Sequence, residues 1–367
     1  MADHRLTSLD AFRGLTIAGM IIVNNPGSWT YVYPPLRHAE WHGWTPTDLI
    51  FPFFLFIVGV SMTLSLSRHV GQGENKFHIH LKFFRRAVLM FGLGMFLHLF
   101  PNFDFSTVRI PGVLQRIAVC TLVAALIDIN LKDRGRSVAA FLALAGYWLM
   151  MKLIPVPGYG PGALDYSGNL CGYIDTGLMA GHLYKPSFDP EGLLSTLPSL
   201  ATVLLGTLAG DWLRSKKSAV QKNIGLLAGG AVLAATGLLL QPYFPINKQL
   251  WTPTYVLFTG GAAAMLLGLF YIMMDGIRVQ KWEVPFLIFG TNSILAYVGS
   301  SLMVKIMALI NVTAGGKTVG LQPWIYQNLF VPWAGQMNGS LAYALSYTLF
   351  WLAVLVPLYR KKIFIKL

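Results

Sequence analysis

The stretch LIFPFFLFIVGVSMTLSL, residues 49–66, carries no charged side chain. A helix needs about 20 mostly apolar residues to cross the ~30 Å hydrocarbon core of a bilayer, so this run is close to the length of one membrane span. Comparable apolar runs lie near residues 12–23, 87–100, 112–129, 138–154, 193–213, 224–240, 254–274, 286–310 and 341–358. The sequence therefore predicts an all-α, polytopic membrane helical bundle of about ten transmembrane helices, with residues 1–367 forming a single domain.

The composition of the 367-residue chain agrees with this class. Hydrophobic residues make up 54% of the chain and charged residues only 12%, whereas an average soluble domain carries about 25% charged residues. These values exclude a disordered chain, a disulfide-framed secreted module and an ordinary soluble globule. Cys120 and Cys171 are not expected to form a disulfide, because Cys120 lies in an apolar run, and no spacing typical of metal ligands is present.

The connections between the apolar runs alternate in character. Lys and Arg concentrate near residues 5, 68–86, 132–136, 214–222, 278–281 and 360–366. The positive-inside rule places these connections and both termini in the cytoplasm. The net charge of +13 therefore reports topology, and no nucleic-acid partner is expected. The polar N-terminus is interpreted as a cytoplasmic lead into a retained helix, not as a cleaved signal peptide.

The opposite set of connections, residues 24–45, 155–189, 241–251 and 311–340, is long and aromatic. These connections hold Trp29, Tyr31, Tyr33, Trp41, Trp44, Tyr159, Tyr166, Tyr173, Tyr184 and Trp251. One interpretation is an aromatic belt at the membrane interface. The other is a carbohydrate-binding surface, because aromatic faces stack on the C–H surfaces of sugars.

Ionisable side chains in or next to the spans are functional candidates, because burying a charge in lipid is costly. Asp10 and Arg13 are three residues apart and can pair on one helix face. His38 and His42 are either exposed loop residues or candidates for a general base or acyl carrier. The segment that ends in Asp48 is typical of a helix start, so Asp48 is either a capping group or a catalytic one.

Seven motifs, in order along the chain, resemble the heparan-α-glucosaminide N-acetyltransferase family, and in particular its bacterial NagX-type members. The motifs are SLDAFRG (8–14), RHAEWHG (37–43), DLIFPFF (48–54), GVLQR (112–116), DPEG (189–192), PINKQLW (245–251) and YRKKI (359–363). The resemblance implies a multi-pass acyltransferase of the bacterial inner membrane. It would move acetyl from cytoplasmic acetyl-CoA to the amine of a glucosamine-type sugar on the periplasmic side.

The resemblance also implies site residues. His38 matches the family's active-site histidine and Asn24 its upstream asparagine, and Asp48 is the third catalytic candidate. His42 stands where the family example has Asn, and Gly299-Ser300-Ser301 replaces a Gly-His-Glu segment. Two mechanisms stay open: His38 acts as general base while Asn24 donates to the oxyanion, or His38 itself carries the acetyl group.

Binding residues follow from the chemistry of the two substrates. The nucleotide of CoA is polyanionic and favours guanidinium groups; its candidates are Arg13, Arg85, Arg86, Gln115 and Arg116. The sugar candidates are Trp41, Asp175, Glu191, Asn247, Lys248, Trp251 and Asn292. No metal is implied, membrane lipid surrounds the bundle, and animal relatives suggest a homodimer by analogy.

Two other functions fit the sequence less well. A transporter of amino sugars or oligosaccharides would also use Pro and Gly interruptions and polar groups at membrane depth, but no inverted repeat is visible in the sequence. An assembly or scaffold protein would leave those polar groups without a role. Binding of acetyl-CoA distinguishes the acyltransferase from both.

Overall fold

A computed structural model describes residues 6–71, 73–277, 282–314 and 317–365 of the chain. The helices are α1 (Thr7–Asn24), α2 (Ile50–Gly71), α3 (Lys76–Leu99), α4 (Val113–Asn130), α5 (Asp133–Leu153), α6 (Leu170–Met179), α7 (Leu193–Arg214), α8 (Ala219–Leu240), α9 (Pro253–Phe270), α10 (Val284–Thr291), α11 (Ser293–Leu309), α12 (Leu321–Ile325) and α13 (Val331–Arg360). Short 3₁₀ turns cover Pro34–Leu36 and Pro46–Leu49, and π-helical turns cover Tyr271–Gly276 and Tyr326–Phe330. The described chain is therefore overwhelmingly helical, as predicted.

The β-strands in the described residues form two antiparallel hairpins in the connections. One pairs β1 (Pro155–Val156) with β2 (Gly160–Pro161), with Val156 opposite Gly160. The other pairs β3 (Asn311–Ala314) with β4 (Lys317–Gly320), with Asn311 opposite Gly320. Both hairpins are too small to carry a core of their own.

Six helical segments in the described residues are long and apolar enough to cross a membrane. They are Pro46–His69, Val113–Asn130, Leu193–Arg214, Ala219–Leu240, Pro253–Gly276 and Leu321–Arg360. A seventh span would combine Val284–Thr291 with Ser293–Leu309, which meet at an angle of 80°. The chain is therefore a multi-pass helical membrane protein. The apolar run 286–310, predicted as one span, is instead broken at Asn292.

The three other predicted spans coincide with α1, α3 and α5, whose charged residues lower their hydropathy. These charges are Asp10 and Arg13 in α1, Lys76, Lys82, Arg85 and Arg86 in α3, and Asp133, Arg134, Arg136 and Lys152 in α5. Among the basic residues used for orientation, Arg5, Arg278, Lys281 and Lys366 lie outside the described residues. Arg136 is buried and pairs with Asp128, Asp133 and Asp211. Its charge is therefore a weaker indicator of which side of the membrane is cytoplasmic than the charge of an exposed cation.

The chain forms two compact units. The described part of the first comprises residues 6–39, 45–51, 273–277, 282–314 and 317–365. In this unit α1 packs on α10 with backbone in contact with backbone. A Cβ added to Gly14 would lie 1.7 Å from the carbonyl oxygen of Phe286, and one added to Gly290 would lie 1.8 Å from that of Asp10. Close approach at small residues is how helices associate where lipid removes the hydrophobic driving force.

The described part of the second unit comprises residues 40–44, 52–71 and 73–272. It follows the same packing rule, because a Cβ on Gly59 of α2 or on Gly206 of α7 would meet a carbonyl oxygen of the other helix at 2.1 Å. Gly230 of α8 and Gly261 of α9 form a second contact of this kind. These contacts fix α2 to α7 and α8 to α9 at defined heights along the helices.

Candidate active site

The connection after α1 brings a histidine and a buried carboxylate together. Nδ1 of His38 lies 2.6 Å from Oδ1 of Asp48. The Asp48 side chain is only 1% exposed, whereas that of His38 is 47% exposed. The solvent-accessible imidazole of His38 is therefore held, through Nδ1, by a carboxylate that is shielded from water.

The local sequence explains why Asp48 stands there. Pro46 begins a 3₁₀ turn, and Oδ2 of Asp48 accepts hydrogen bonds from the backbone N–H of Thr45 at 3.0 Å and from its hydroxyl at 3.1 Å. The same oxygen accepts from the N–H of Ala39 at 3.0 Å. Asp48 is thus the helix-capping group that the sequence allowed and, with its other oxygen, the partner of His38.

Hydrogen bonds within the loop hold the segment before His38. The guanidinium of Arg37 donates to the carbonyls of Val32 at 2.7 Å and Thr30 at 3.1 Å. The hydroxyl of Thr45 donates to the carbonyl of Arg37 at 2.6 Å. Arg37 therefore shapes the loop from which His38 projects, a role that the sequence did not suggest.

This geometry defines what His38 can do. With Nδ1–H donating to Asp48, the second ring nitrogen, Nε2, is the basic and nucleophilic one. The carboxylate also stabilises the imidazolium that forms when Nε2 takes a proton, as in other carboxylate–histidine pairs. Asn24, the other catalytic candidate in this unit, is the exposed last residue of α1.

Arg116, predicted as a CoA-binding residue, lies in the second unit. It is 2% exposed, and its Nη2 donates to the carbonyl of Gly192 at 3.2 Å and to the hydroxyl of Ser195. Its guanidinium also lies 5.1 Å from the centre of the Trp251 ring. Arg116 therefore contacts Trp251, one of the residues predicted to face the sugar.

Arg85 and Arg86 are separated from Arg116 along the helices. Both are on the exposed face of α3. Gln115, in α4, is buried against Gly94 of α3. Gly94 lies eight residues beyond Arg86, which is about 12 Å along a helix axis. Gln115 and Arg116 thus do not cluster with Arg85 and Arg86, because the packing of α3 on α4 holds them farther along the helices.

The acidic sugar candidates of this unit are buried or paired. Oδ1 of Asp175 accepts from the N–H of Leu193 at 2.9 Å, and burial raises the pKa of Asp175 to about 6. Glu191 and Asp189 both bind Arg109, Asp189 through two hydrogen bonds of 2.6 and 2.8 Å. Burial would lower the pKa of Arg109, but these two acids outweigh it and leave the pKa raised.

The aromatic and amide candidates mostly brace the loops. Trp251 is 1% exposed and donates to the hydroxyl of Thr202 at 3.1 Å. Oδ1 of Asn247 accepts from Leu250 N–H at 2.8 Å, and its Nδ2 lies 3.3 Å from Nδ1 of His42. Burial lowers the pKa of His42.

Trp41 and Lys248 are the more accessible sugar candidates, since both are half-buried. Trp41 donates its indole N–H to the carbonyl of Leu164 at 2.8 Å and packs edge-on against Tyr166 and Phe188. One part of the predicted aromatic surface is therefore an internal brace. Exposed rings such as that of Trp29, which is 68% exposed, are still available to form the predicted outer aromatic surface.

Asn292 and Arg13 belong to the first unit. The amide of Asn292 donates to the carbonyl of Ile363 at 3.1 Å and accepts from the N–H of Ile365 at 2.9 Å. It therefore holds the C-terminal segment at the break between α10 and α11. Arg13 pairs with Asp10 at 2.9 Å, which confirms the pairing predicted from their spacing.

A cavity of about 520 Å³ opens beside this pair. Its lining residues are Thr7, Asp10, Leu287, Thr291, Tyr359, Arg360, Lys362 and Phe364. Arg360 and Lys362 were not among the predicted binding residues. The signal in the sequence is the basic motif 359–363, which otherwise marks topology and forms part of the family resemblance.

Comparison with known proteins agrees with these motifs. The family model for the catalytic region of heparan-alpha-glucosaminide N-acetyltransferase matches residues 5–252. The human heparan-alpha-glucosaminide N-acetyltransferase is 30% identical over an alignment that covers 99% of this chain and 60% of the human protein. The mouse protein is 30% identical, with 82% of this chain and 54% of the relative covered. The chain spans little more than half the length of these relatives, and it belongs to the heparan-alpha-glucosaminide N-acetyltransferase family.

Proposed function

We propose that the chain is a membrane-embedded N-acetyltransferase. It moves acetyl from cytoplasmic acetyl-CoA to the amine of a glucosamine-type sugar on the periplasmic side of a bacterial inner membrane. The observation that carries this proposal is the His38–Asp48 pair, an accessible base oriented by a buried carboxylate, in a chain whose relatives are named as N-acetyltransferases of a glucosaminide.

The chemistry follows from the pair. The amine nitrogen attacks the thioester carbonyl, the C–N bond forms and the C–S bond breaks. His38 Nε2 takes the proton that the nitrogen loses, Asp48 stabilises the resulting imidazolium, and the CoA thiolate receives a proton on leaving. Asn24 supplies a hydrogen bond to the oxyanion. In the alternative route, Nε2 first accepts the acetyl group from sulfur and then passes it to the amine.

The nucleotide end of acetyl-CoA fits the 520 Å³ cavity of the first unit. Its phosphates require cations, and Arg360 and Lys362 line the cavity. Arg13 adds a guanidinium next to Asp10. Arg85, Arg86, Gln115 and Arg116 remain candidates from the sequence, and the first two are the ones exposed to solvent or lipid headgroups.

On the sugar side, Trp41 and Lys248 are the candidates for direct contact, because they are half-buried. Asp175, Glu191, Asn247 and Trp251 are buried or paired and would shape the loops around the sugar. Asn292 stays a prediction for substrate binding, although both ends of its amide hold the C-terminal segment.

The organisation of the protein is part of the proposal. Residues 1–367 constitute one acyltransferase domain of about ten transmembrane helices with both termini in the cytoplasm. The positive-inside distribution of Lys and Arg supports this orientation. Membrane lipid surrounds the bundle, and a homodimer is the proposed assembly.

The primary test compares two histidines of one loop. His38→Ala should lower the rate of acetyl transfer to glucosamine by roughly 10²–10⁴ and leave binding of CoA largely intact. His42→Ala removes the same ring four residues away and should have a much milder effect. Equal activity of His38→Ala and the wild type at saturating substrates would remove His38 from the mechanism.

A second test addresses sidedness. Sealed proteoliposomes of known orientation receive acetyl-CoA on one face and glucosamine on the other. Acetylated sugar should form only with acetyl-CoA on the cytoplasmic face and the sugar outside. Transfer that requires both substrates on one face would refute the transmembrane route, and uptake of unmodified glucosamine would favour the transporter.

A further inference from the structure

The turn that follows α1 is tied to one residue of α13. Within residues 24–28, here called the exit turn, the N–H of Gly27 donates to the carbonyl of Ser340 at 3.2 Å. The N–H of Ser28 donates to the hydroxyl of Ser340 at 3.0 Å, and that hydroxyl donates back to the carbonyl of Ser28 at 3.2 Å. Ser340 is 2% exposed, so these bonds are shielded from water.

Close packing adds to these bonds. A Cβ on Gly27 would lie 2.5 Å from the ring of Tyr326 and 3.0 Å from the Cα of Ser340. The side-chain amide of Gln322 donates to the carbonyl of Pro26 at 3.1 Å. Three consecutive residues of the exit turn, 26–28, are therefore fixed from the side of α12 and α13.

The loop beyond the exit turn also lies on α13. The hydroxyl of Tyr33 donates to the side chain of Asn338. The gap lined by residues 22–36 and 337–344 has a volume of only about 10 Å³, which is no more than the room that one water molecule needs. At this gap the loop thus packs closely against α13.

A helix break sets the position of this surface. Gly335 has a φ of 73° inside α13, in the left-handed region that favours glycine. The helix resumes after it, and its next turn presents Asn338 and Ser340 to the loop. Residues 321–344 also lie beyond residue 252, where the match to the family's catalytic model ends.

We propose that Ser340 is a positioning residue for acetyl transfer. By fixing residues 26–28, it fixes the backbone from which Asn24 presents its amide to the oxyanion. The candidate active site is then completed by a part of the chain outside the region that the family's catalytic model matches. This inference rests on the proposed function, and in particular on the role of Asn24.

The test is a double-mutant cycle between Ser340→Ala and Asn24→Ala. Ser340→Ala alone should lower kcat by about 10- to 100-fold at an unchanged KM for acetyl-CoA, because a displacement of ~1 Å costs up to about 10² in rate. In the Asn24→Ala background the same substitution should cost less than about 3-fold, since residues that act through one another are not additive. Multiplicative losses in the double variant would overturn the proposal.

Thr348→Ala is the matched control. Thr348 is a buried residue of the same helix, and its hydroxyl donates within α13 to the carbonyl of Ala344 at 2.8 Å. The Thr348→Ala variant should retain the wild-type kcat. A loss of kcat equal to that of Ser340→Ala would show that transfer depends on the stability of α13 in general and not on the position of the exit turn. Gly27→Ala, which forces the exit turn away from Tyr326, should reproduce the kcat defect of Ser340→Ala with folding checked by thermal unfolding.

The cycle also separates this inference from the proposed function. If His38→Ala is inactive and Ser340→Ala is as active as the wild type, only the positioning role is refuted. If His38→Ala and Asn24→Ala are both fully active, the proposed catalytic site itself is refuted.

Discussion

Replacement of Asp48 by Asn tests the His38–Asp48 pair most directly. The substitution keeps the size of the side chain but removes its charge. Asp48 accepts hydrogen bonds from the ring of His38, from the N–H of Ala39 and from the N–H and hydroxyl of Thr45. An asparagine has one acceptor oxygen, so its NH₂ group must face either the imidazole or the backbone donors.

Each orientation of the amide has a cost that can be estimated. If the NH₂ faces His38, the imidazole must present Nδ1 as an acceptor, and Nε2 then carries the proton and cannot act as base. The rate of transfer should fall by about 10²–10⁴, the typical contribution of a general base. If the NH₂ faces the backbone, the N–H groups of the half-buried Ala39 and Thr45 lose their acceptor. Each costs at most the ~1–3 kcal/mol of a fully buried donor left unpaired.

The assay measures acetyl transfer to glucosamine at saturating acetyl-CoA, with thermal unfolding in detergent to report stability. Glu40→Gln is the matched control: it makes the same carboxylate-to-amide change at an exposed residue two positions after His38, and should keep wild-type activity. In the His38→Ala background, Asp48→Asn should cost little further rate, because the two residues act as a unit. A folded Asp48→Asn variant within about 3-fold of the wild-type rate would refute the assigned role of the carboxylate.

Three further predictions concern other parts of the chain. The pKa of Asp175 in the folded protein, about 6, exceeds its ordinary value of 3.8, so the stabilisation that its proton confers is lost as the pH rises from about 4 to about 6; the Tm of the wild type minus that of Asp175→Asn should become more negative across this same range, and a constant difference would contradict this. Lys362→Gln should raise the KM for acetyl-CoA by about 5- to 10-fold at constant KM for the sugar, whereas the same change at Lys132, an exposed cation that does not line the 520 Å³ cavity, should not. In spheroplasts an impermeant thiol reagent should modify Tyr159→Cys and spare Lys216→Cys until the membrane is opened. The reverse labelling pattern would show that the topology is the opposite of the one proposed. The native cysteines give little background in this assay, because both are free and buried.

The sequence by itself determined the membrane class and the positions of most helices. An apolar run such as residues 49–66 needs no distant partner to define it, since the bilayer is the solvent and length and hydropathy suffice. Short-range spacing was similarly informative. Asp10 and Arg13 pair as their separation predicts, and the helix-start pattern around Asp48 forms the predicted cap.

The tertiary structure decided which distant residues meet. Arg116 was grouped with Arg85 and Arg86 by charge alone, but its partners are Gly192, Ser195 and Trp251, 76 or more residues further along the chain. Asn292 looked like a polar group at membrane depth, yet the C-terminal segment occupies its amide. No local pattern in the sequence encodes either contact.

The support of the exit turn depends most on tertiary structure. Ser340 is a small residue in an apolar helix, and nothing in its neighbourhood along the chain marks it. It binds Ser28 across 312 residues because a glycine break in α13 and small residues at the crossing let the two backbones approach. Hydropathy and helix propensity are properties of a short window of sequence, whereas such contacts depend on how helices pack, and only the folded chain specifies them.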